Sequence, residues 1–160
     1  MVALQLPYVE PVFRPPAEAG SLILQATVGC SWNRCSFCDM YTQAQQAYRP
    51  RSLEELTSDL TLASALSSEL SAPVKRVFLA DGDAMNLPTA RLREILATVR
   101  QCLPQVQRVS AYCLPRNIRA KSVAELAELR ELGLRTLYIG RESGDDEVSI
   151  YLSIYLSIYL

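Results

Sequence analysis

Three cysteines crowd into one short stretch of the chain, and their spacing is typical of a metal or cluster site. Cys30, Cys35 and Cys38 form a C-x4-C-x2-C pattern. The segment that carries them, residues 29–41, has the sequence GCSWNRCSFCDMY. Thiolates are soft ligands that suit zinc and iron–sulfur clusters. An odd total of five cysteines does not suggest a disulfide scaffold, so we expect ligating thiols in a reducing, cytoplasmic compartment.

Two kinds of metal site remain open on these residues. A structural zinc site needs four ligands, and because the chain contains no histidine, Cys113 or Asp39 would have to complete it. A cubane [4Fe–4S] cluster would instead use the three clustered thiolates and leave its fourth iron open, and an open coordination position is typical of a catalytic metal. The lack of histidine also excludes Ser-His-Asp triads and Cys-His dyads. Cys102 is expected to be a small buried apolar residue.

The hydrophobic pattern predicts an α/β fold that alternates strands and helices. Ser52 and Glu55, and likewise Ser122 and Glu125, form S-x-x-E capping boxes at helix starts. The predicted strands cover 22–28, 74–80, 106–113 and 136–140, and the three predicted helices cover about 52–70, 88–103 and 122–132. Such alternation predicts parallel strands joined by helical crossovers.

The cysteine segment and a second polar motif follow neighbouring predicted strands. The cysteine segment comes directly after the first strand, and Asp81-Gly82-Asp83 comes after the second. Because parallel α/β sheets bind ligands at the carboxyl ends of their strands, both segments are expected to lie at the same edge of the sheet.

The cysteine segment resembles that of the radical S-adenosylmethionine (radical SAM) superfamily. Its common pattern is C-x3-C-x-aromatic-C after the first strand of a partial (β/α)6 barrel, and Phe37 stands at the aromatic position. This chain has one extra residue between the first two cysteines. The segment is similar in its core to the elongator and methylthiotransferase enzymes of the superfamily. The resemblance covers roughly residues 10–148 and implies a partial (β/α) barrel of the radical SAM type, with about four parallel strands and three helices present.

The resemblance also implies a set of site residues. Cys30, Cys35 and Cys38 would hold the cluster, and backbone groups at 81–83 would hold the amino group of S-adenosylmethionine. Glu142 and Ser143 would meet the ribose or the methionine carboxylate. The cofactor-binding residues implied in this way are Phe37, Asp81, Gly82, Asp83, Ser110, Glu142 and Ser143. Asn117 flanks the end of the third strand as a further lining residue.

The activity that the resemblance implies is generation of a 5′-deoxyadenosyl radical from S-adenosylmethionine at a [4Fe–4S] cluster. A one-electron donor of the flavodoxin or ferredoxin type would be the partner, and the residues do not define a substrate. A zinc-binding structural or interaction module that uses the same cysteines is the alternative. A third hypothesis is a fragment that binds the cluster but has no catalytic turnover, because the family barrel normally continues for two more strands.

Three segments make up the chain on this interpretation. Residues 1–21 form a proline-rich lead, 22–148 form the partial core, and 149–160 form a tail in which Ser-Ile-Tyr-Leu occurs three times. Such a repeat favours a truncated or frameshifted end over a genuine amphipathic strand. The net charge of −1 gives no support for nucleic-acid binding, the start lacks the pattern of a signal peptide, and no apolar run approaches the ~20 residues of a membrane helix.

Overall fold

The computed structural model of the chain describes residues 6–36, 38–140 and 158–159. The strands are β1 (Leu22–Gln25), β2 (Thr27–Val28), β3 (Arg49–Pro50), β4 (Arg76–Ala80), β5 (Arg108–Tyr112), β6 (Leu134–Tyr138) and β7 (Ile158–Tyr159). The α-helices are α1 (Leu53–Glu69), α2 (Thr89–Cys102), α3 (Pro115–Arg119) and α4 (Val123–Glu131). Short 3₁₀ turns lie at Pro16–Glu18, Ala44–Gln46 and Ala84–Asn86.

Four parallel strands form the centre of the molecule, as the alternating pattern predicted. The main sheet has the order β1-β4-β5-β6-β7, and its first four strands pair in parallel. β7 pairs antiparallel with β6 through Ile158 and Tyr159. The last repeat of the tail therefore contributes a two-residue strand, and the other tail residues lie outside the described part of the chain.

The first predicted strand is in fact two strands in two sheets. The run 22–28 is interrupted at Ala26, whose N–H donates to Ala80 O and whose carbonyl accepts from Arg51 N. β2 then pairs antiparallel with β3 in a separate two-stranded sheet. The chain therefore leaves the main sheet just before the cysteine segment, and the small sheet closes the loop that carries the cysteines.

The long helices agree with their predicted starts. Both predicted capping boxes are present: Ser52 accepts from the N–H of Glu55, and Ser122 accepts from the N–H of Glu125. Each glutamate carboxylate accepts in turn from the backbone N–H of its serine, so that two otherwise unpaired donors are satisfied at each helix start. The short helix α3 has no counterpart among the predicted helices, because a proline after a strand is typical of the end of that strand. Proline is also favoured in the first turn of a helix, the position that it occupies here.

The two faces of the main sheet differ in chemistry. One face packs against α1, α2 and α4 and forms the apolar core, in which Leu24, Leu79 and Leu137 are fully buried. Alternate residues point to the other face, where the ring of Phe78 meets the rings of Tyr112 and Tyr138 at centroid distances of 5.0 and 6.2 Å. Tyr112 and Tyr138 lie on this second face at the carboxyl ends of their strands.

The N-terminal lead lies along the free edge of β1. The hydroxyl of Tyr8 donates to the carbonyl of Ile23 at 3.0 Å. The side chain of Gln25 accepts from Val9 N at 2.9 Å and donates to Val9 O at 3.1 Å. These contacts cover an edge strand that would otherwise expose unpaired backbone groups. None of the helices in the described ranges is both long and apolar enough to cross a membrane.

Candidate functional site

The cysteine loop begins at a turn that only glycine can make. Gly29 has a φ of +68°, and a Cβ there would lie 2.0 Å from the backbone oxygen of Gln46. Glycine adopts positive φ without steric cost, so the chain can turn out of β2 at this position. Cys30 follows directly, and the loop returns to the small sheet at β3.

One cavity at the carboxyl ends of the parallel strands contains all three clustered cysteines. Its volume is about 360 Å³, within the usual range for small-molecule sites. The residues that line it are Cys30, Asn33, Cys35, Cys38, Asp39, Met40, Tyr41, Gly82, Tyr112, Cys113, Leu114, Tyr138 and Gly140. The cysteine loop and the turn after β4 therefore share one edge of the sheet, as their positions after parallel strands predicted.

The donor set of this cavity suits an iron–sulfur cluster. Three partly exposed thiols face a common space, and soft thiolates are the ligands that such clusters use. Among the residues that the structure describes, no group of three or more Cys, Asp or Glu side chains is gathered closely enough to hold a metal ion. A cubane binds each thiolate through a different iron atom, so its ligands surround a cluster and do not meet at one point. The shared cavity and the ligand type therefore fit the cluster that the family resemblance implied.

Gly82 permits a close approach between the two segments of the site. A Cβ at this position would lie 2.6 Å from Cε2 of Tyr41 and 3.0 Å from Cβ of Cys30. Any larger residue would push the tyrosine ring or the first cysteine out of place. Gly82 thus lets the turn after β4 form part of the cavity wall.

Asp81, the residue before this glycine, is fully buried and paired. Its carboxylate accepts from Gln25 Nε2 at 2.9 Å and from Tyr41 Oη at 3.1 Å. Burial raises the pKa of Asp81 to about 6, and hydrogen bonds from Gln25 and Tyr41 oppose that rise. Burial and the nearby Asp81 carboxylate in turn raise the pKa of Tyr41 well above its usual value, which keeps the hydroxyl protonated as a donor.

Asp83 is also buried, and its carboxylate accepts hydrogen bonds from three other side chains. The carboxylate accepts from Ser31 Oγ, from Asn117 Nδ2 and, at 3.2 Å, from Arg116 Nη2. Asn117, expected as a lining residue, is 3% exposed and uses its amide for this contact.

The remaining predicted residues lie at different places. Ser110 is fully buried within β5, and its hydroxyl contacts Val77 O at 3.4 Å, so it lies below the cavity and not in its lining. Phe37, Glu142 and Ser143 fall outside the residues that the structure describes.

The fourth cysteine of the cavity is held as a thiol. Cys113 is 2% exposed and donates its S–H to Leu114 O at 3.3 Å. Burial and the nearby charge of Asp83 raise its pKa to about 12. This environment agrees with a packing role for Cys113 and not with ligation.

Sequence reasoning missed the aromatic lining of the site. Tyr41, Tyr112 and Tyr138 all face the cavity. The hydroxyl of Tyr138 donates to Glu18 Oε1 at 2.7 Å, and Glu18 also accepts from Arg108 at 2.9 Å. Tyr112 and Tyr138 each end a strand, and that position was the available signal for the two residues.

The comparisons with known proteins agree with this site. A sequence model described as the radical SAM superfamily matches residues 24–157, which is most of the chain and includes the whole cysteine loop. A search of curated proteins gave no match, and a search of solved structures gave none. With a four-stranded parallel sheet, a three-cysteine loop at its carboxyl edge and a match over most of its length, the chain belongs to the radical SAM superfamily.

Proposed function

We propose that this chain is the core of a radical SAM enzyme, in which Cys30, Cys35 and Cys38 hold a [4Fe–4S] cluster. The observation that carries the proposal is the common cavity of the three thiols at the carboxyl edge of the parallel sheet, in a chain that belongs to this family. When bound, the cluster and S-adenosylmethionine supply a 5′-deoxyadenosyl radical after one-electron reduction. The protein's part is to position both groups and to exclude water.

The turn after β4 provides backbone for the cofactor. The side chains of Asp81 and Asp83 are both occupied by protein partners, and Gly82 exposes its backbone to the cavity. We therefore assign contact with the methionine amino group to main-chain groups of 81–83. Phe37, Glu142 and Ser143 stay in the proposed cofactor-binding set, whereas Ser110 leaves it because it is buried outside the cavity lining.

The aromatic wall defines the environment of the reaction. Tyr41, Tyr112 and Tyr138 line the cavity that contains the thiols. The hydroxyls of Tyr41 and Tyr138 donate hydrogen bonds to buried carboxylates. Such a wall is apolar towards the cavity and lowers the local dielectric constant, which strengthens electrostatic contacts inside it.

The environment of Cys113 favours a cluster site over the alternative function, a zinc-binding module. A closed structural zinc site needs a fourth ligand, and the fourth cysteine of the cavity, Cys113, is a buried thiol that donates to a backbone carbonyl. Asp39, the other candidate, is exposed. Cys30, Cys35 and Cys38 would hold the cluster with three thiolates, and a bound cluster would then have a position available for S-adenosylmethionine.

The proposal also includes a subgroup within the family, an electron donor and a cellular location. The cysteine segment relates the chain to the elongator and methylthiotransferase enzymes. A flavodoxin- or ferredoxin-type protein is the proposed electron donor. Cysteines that form no disulfide bond suit a reducing compartment, so the proposed location is the cytoplasm.

Anaerobic reconstitution with iron and sulfide tests the proposal. We expect a brown protein with about four irons per chain, as cluster stoichiometry requires. Cys35→Ala should lose the colour, because it removes one of three ligands. Cys102→Ala is the matched control, since Cys102 ends α2 away from the cavity, and it should keep the iron content of the wild type. A colourless wild-type protein, or one that binds a single zinc ion, would overturn the proposal.

A further inference from the structure

The carboxylate of Asp83 connects three separate segments of the chain. It is fully buried, and both of its oxygens have partners. Oδ1 accepts from Asn117 Nδ2, and Oδ2 accepts from Ser31 Oγ and from Arg116 Nη2. Ser31 directly follows Cys30, whereas Arg116 and Asn117 belong to α3. The first ligand of the cysteine loop is therefore linked to α3 through one side chain of the turn after β4.

Arg116 makes two further contacts with the same part of the loop. Its Nη2 also donates to Ser31 Oγ, and its guanidinium carbon lies 5.4 Å from the centre of the Trp32 ring, in a cation–π arrangement. Trp32 is 51% exposed, so burial alone does not fix it. Arg116 thus holds the two residues that follow Cys30, and Asp83 holds Arg116 in place at 3.2 Å.

We propose that Asp83 is a positioning residue that, together with Arg116 and Asn117, holds the Cys30 end of the cysteine loop in place. Its carboxylate serves the protein and is not a direct cofactor ligand. Hydrogen bonds between charged groups are the strong ones, and this carboxylate receives one from a guanidinium and two from neutral donors. The importance of this contact for cluster binding rests on the proposed function, whereas the positioning itself is a property of the protein without a cluster.

The reactivity of Cys30 in the cluster-free protein measures the positioning directly. Trypsin cleaves after Arg34, so peptide mapping separates alkylated Cys30 from Cys35 and Cys38. The rate is taken at the alkaline plateau, where the thiol is fully ionised and a change in its pKa has no effect. Asp83→Asn removes the charge that holds Arg116. We expect the plateau rate at Cys30 to rise about tenfold, the change that loss of one charge-assisted hydrogen bond produces.

Two variants keep the test decisive. Arg116→Ala alters a side chain that is 44% exposed, so this variant should fold even if Asp83→Asn does not, and the Cys30 rate should again rise. Arg119→Ala, an exposed residue of the same helix, is the matched control and should leave the rate unchanged. Cys102 reports global opening and should react at the same rate in every variant.

The outcomes separate this proposal from the proposed function. Unchanged Cys30 rates in both Asp83→Asn and Arg116→Ala would overturn it. Equal increases at Cys30 and Cys102 would also overturn it, because they would reveal general destabilisation and not local release. Iron uptake plays no part in these measurements, so a wild-type protein that fails to bind iron would refute the proposed function and leave this result standing.

Discussion

The hydroxyl of Tyr41 donates a hydrogen bond to the carboxylate of Asp81 at 3.1 Å, and both residues are buried. The same carboxylate accepts from Gln25, whose side chain also binds the backbone of Val9. One acidic group therefore joins the end of the cysteine loop, the first strand and the N-terminal lead. A buried carboxylate without such partners would be strongly unfavourable.

Asp81 predicts a dependence of stability on pH. Its pKa is about 6 in the folded protein against a reference value of 3.8, so the folded state binds this proton more tightly than the unfolded chain does. The stabilising effect of protonation is complete below pH 4 and is lost as the pH rises through about 6. Each pKa unit corresponds to about 1.4 kcal/mol. Ionisation of Asp81 should therefore cost about 2–3 kcal/mol of unfolding free energy at pH 8.

Asp81→Asn provides the comparison. Urea unfolding of the wild type and the variant at pH 5 and at pH 8 gives the difference in their unfolding free energies. That difference should change by about 1 kcal/mol between the two pH values, in favour of the asparagine variant at pH 8. If the two proteins lose or gain stability in parallel over this range, the assigned protonation of Asp81 is wrong.

Gly82→Ala should damage both packing and iron binding. The added Cβ would lie 2.6 Å from Tyr41 Cε2 and 3.0 Å from Cys30 Cβ, so one of the two residues must move. Overpacking of this kind costs about 1–3 kcal/mol. We expect a lower urea midpoint and reduced iron content after reconstitution. Gly20→Ala is the control, because its Cβ would meet only the flexible end of Arg76 at 2.7 Å. Equal behaviour of the two variants would contradict the proposed close approach.

The buried ion pair between Arg51 and Asp59 should contribute strongly to stability. Its atoms are 2.5 Å apart, and the two side chains are 7% and 3% exposed. Asp59→Ala would leave a buried guanidinium without this partner, which costs about 3–5 kcal/mol. Glu128→Ala breaks the exposed pair with Arg93 and should change the stability far less, because solvent screens an exposed ion pair. Thermal unfolding of the two variants measures the contrast, and similar melting temperatures would disprove it.

The helices could be predicted because their signals are local. Ser52 and Ser122 each stand three residues before a glutamate, and the capping hydrogen bonds form within that short segment. The start of α3 was missed because Pro115 suits both the end of a strand and the first turn of a helix. Local sequence does not distinguish these two uses.

Strand partners could not be predicted in the same way. The apolar run 22–28 suggested one buried strand, yet its last part pairs with Arg49 and Pro50 in a second sheet. Hydrophobicity reports burial but not the identity of the neighbouring strand. The fourth strand likewise begins at Leu134 and not at Thr136, since its register depends on pairing with β5.

The sequence could predict the parts of the site in which functional residues directly follow a strand. Cys30 and Gly82 follow neighbouring parallel strands, and they do line one cavity. The roles of Arg116 and Tyr41 depend on side-chain contacts between distant segments. No motif marks Arg116, and Tyr41 ends the cysteine segment without any local signal for its partner Asp81, so tertiary structure is needed to find both roles.

The electron paramagnetic resonance spectrum of the reduced, reconstituted protein tests the central claim most directly. If Cys30, Cys35 and Cys38 hold a [4Fe–4S] cluster with one open iron, S-adenosylmethionine should shift the g values of the reduced cluster. The methionine amino and carboxylate groups would fill that open position. A cluster signal that S-adenosylmethionine leaves unchanged would contradict the claim, because it would mean that a fourth protein ligand already closes the site.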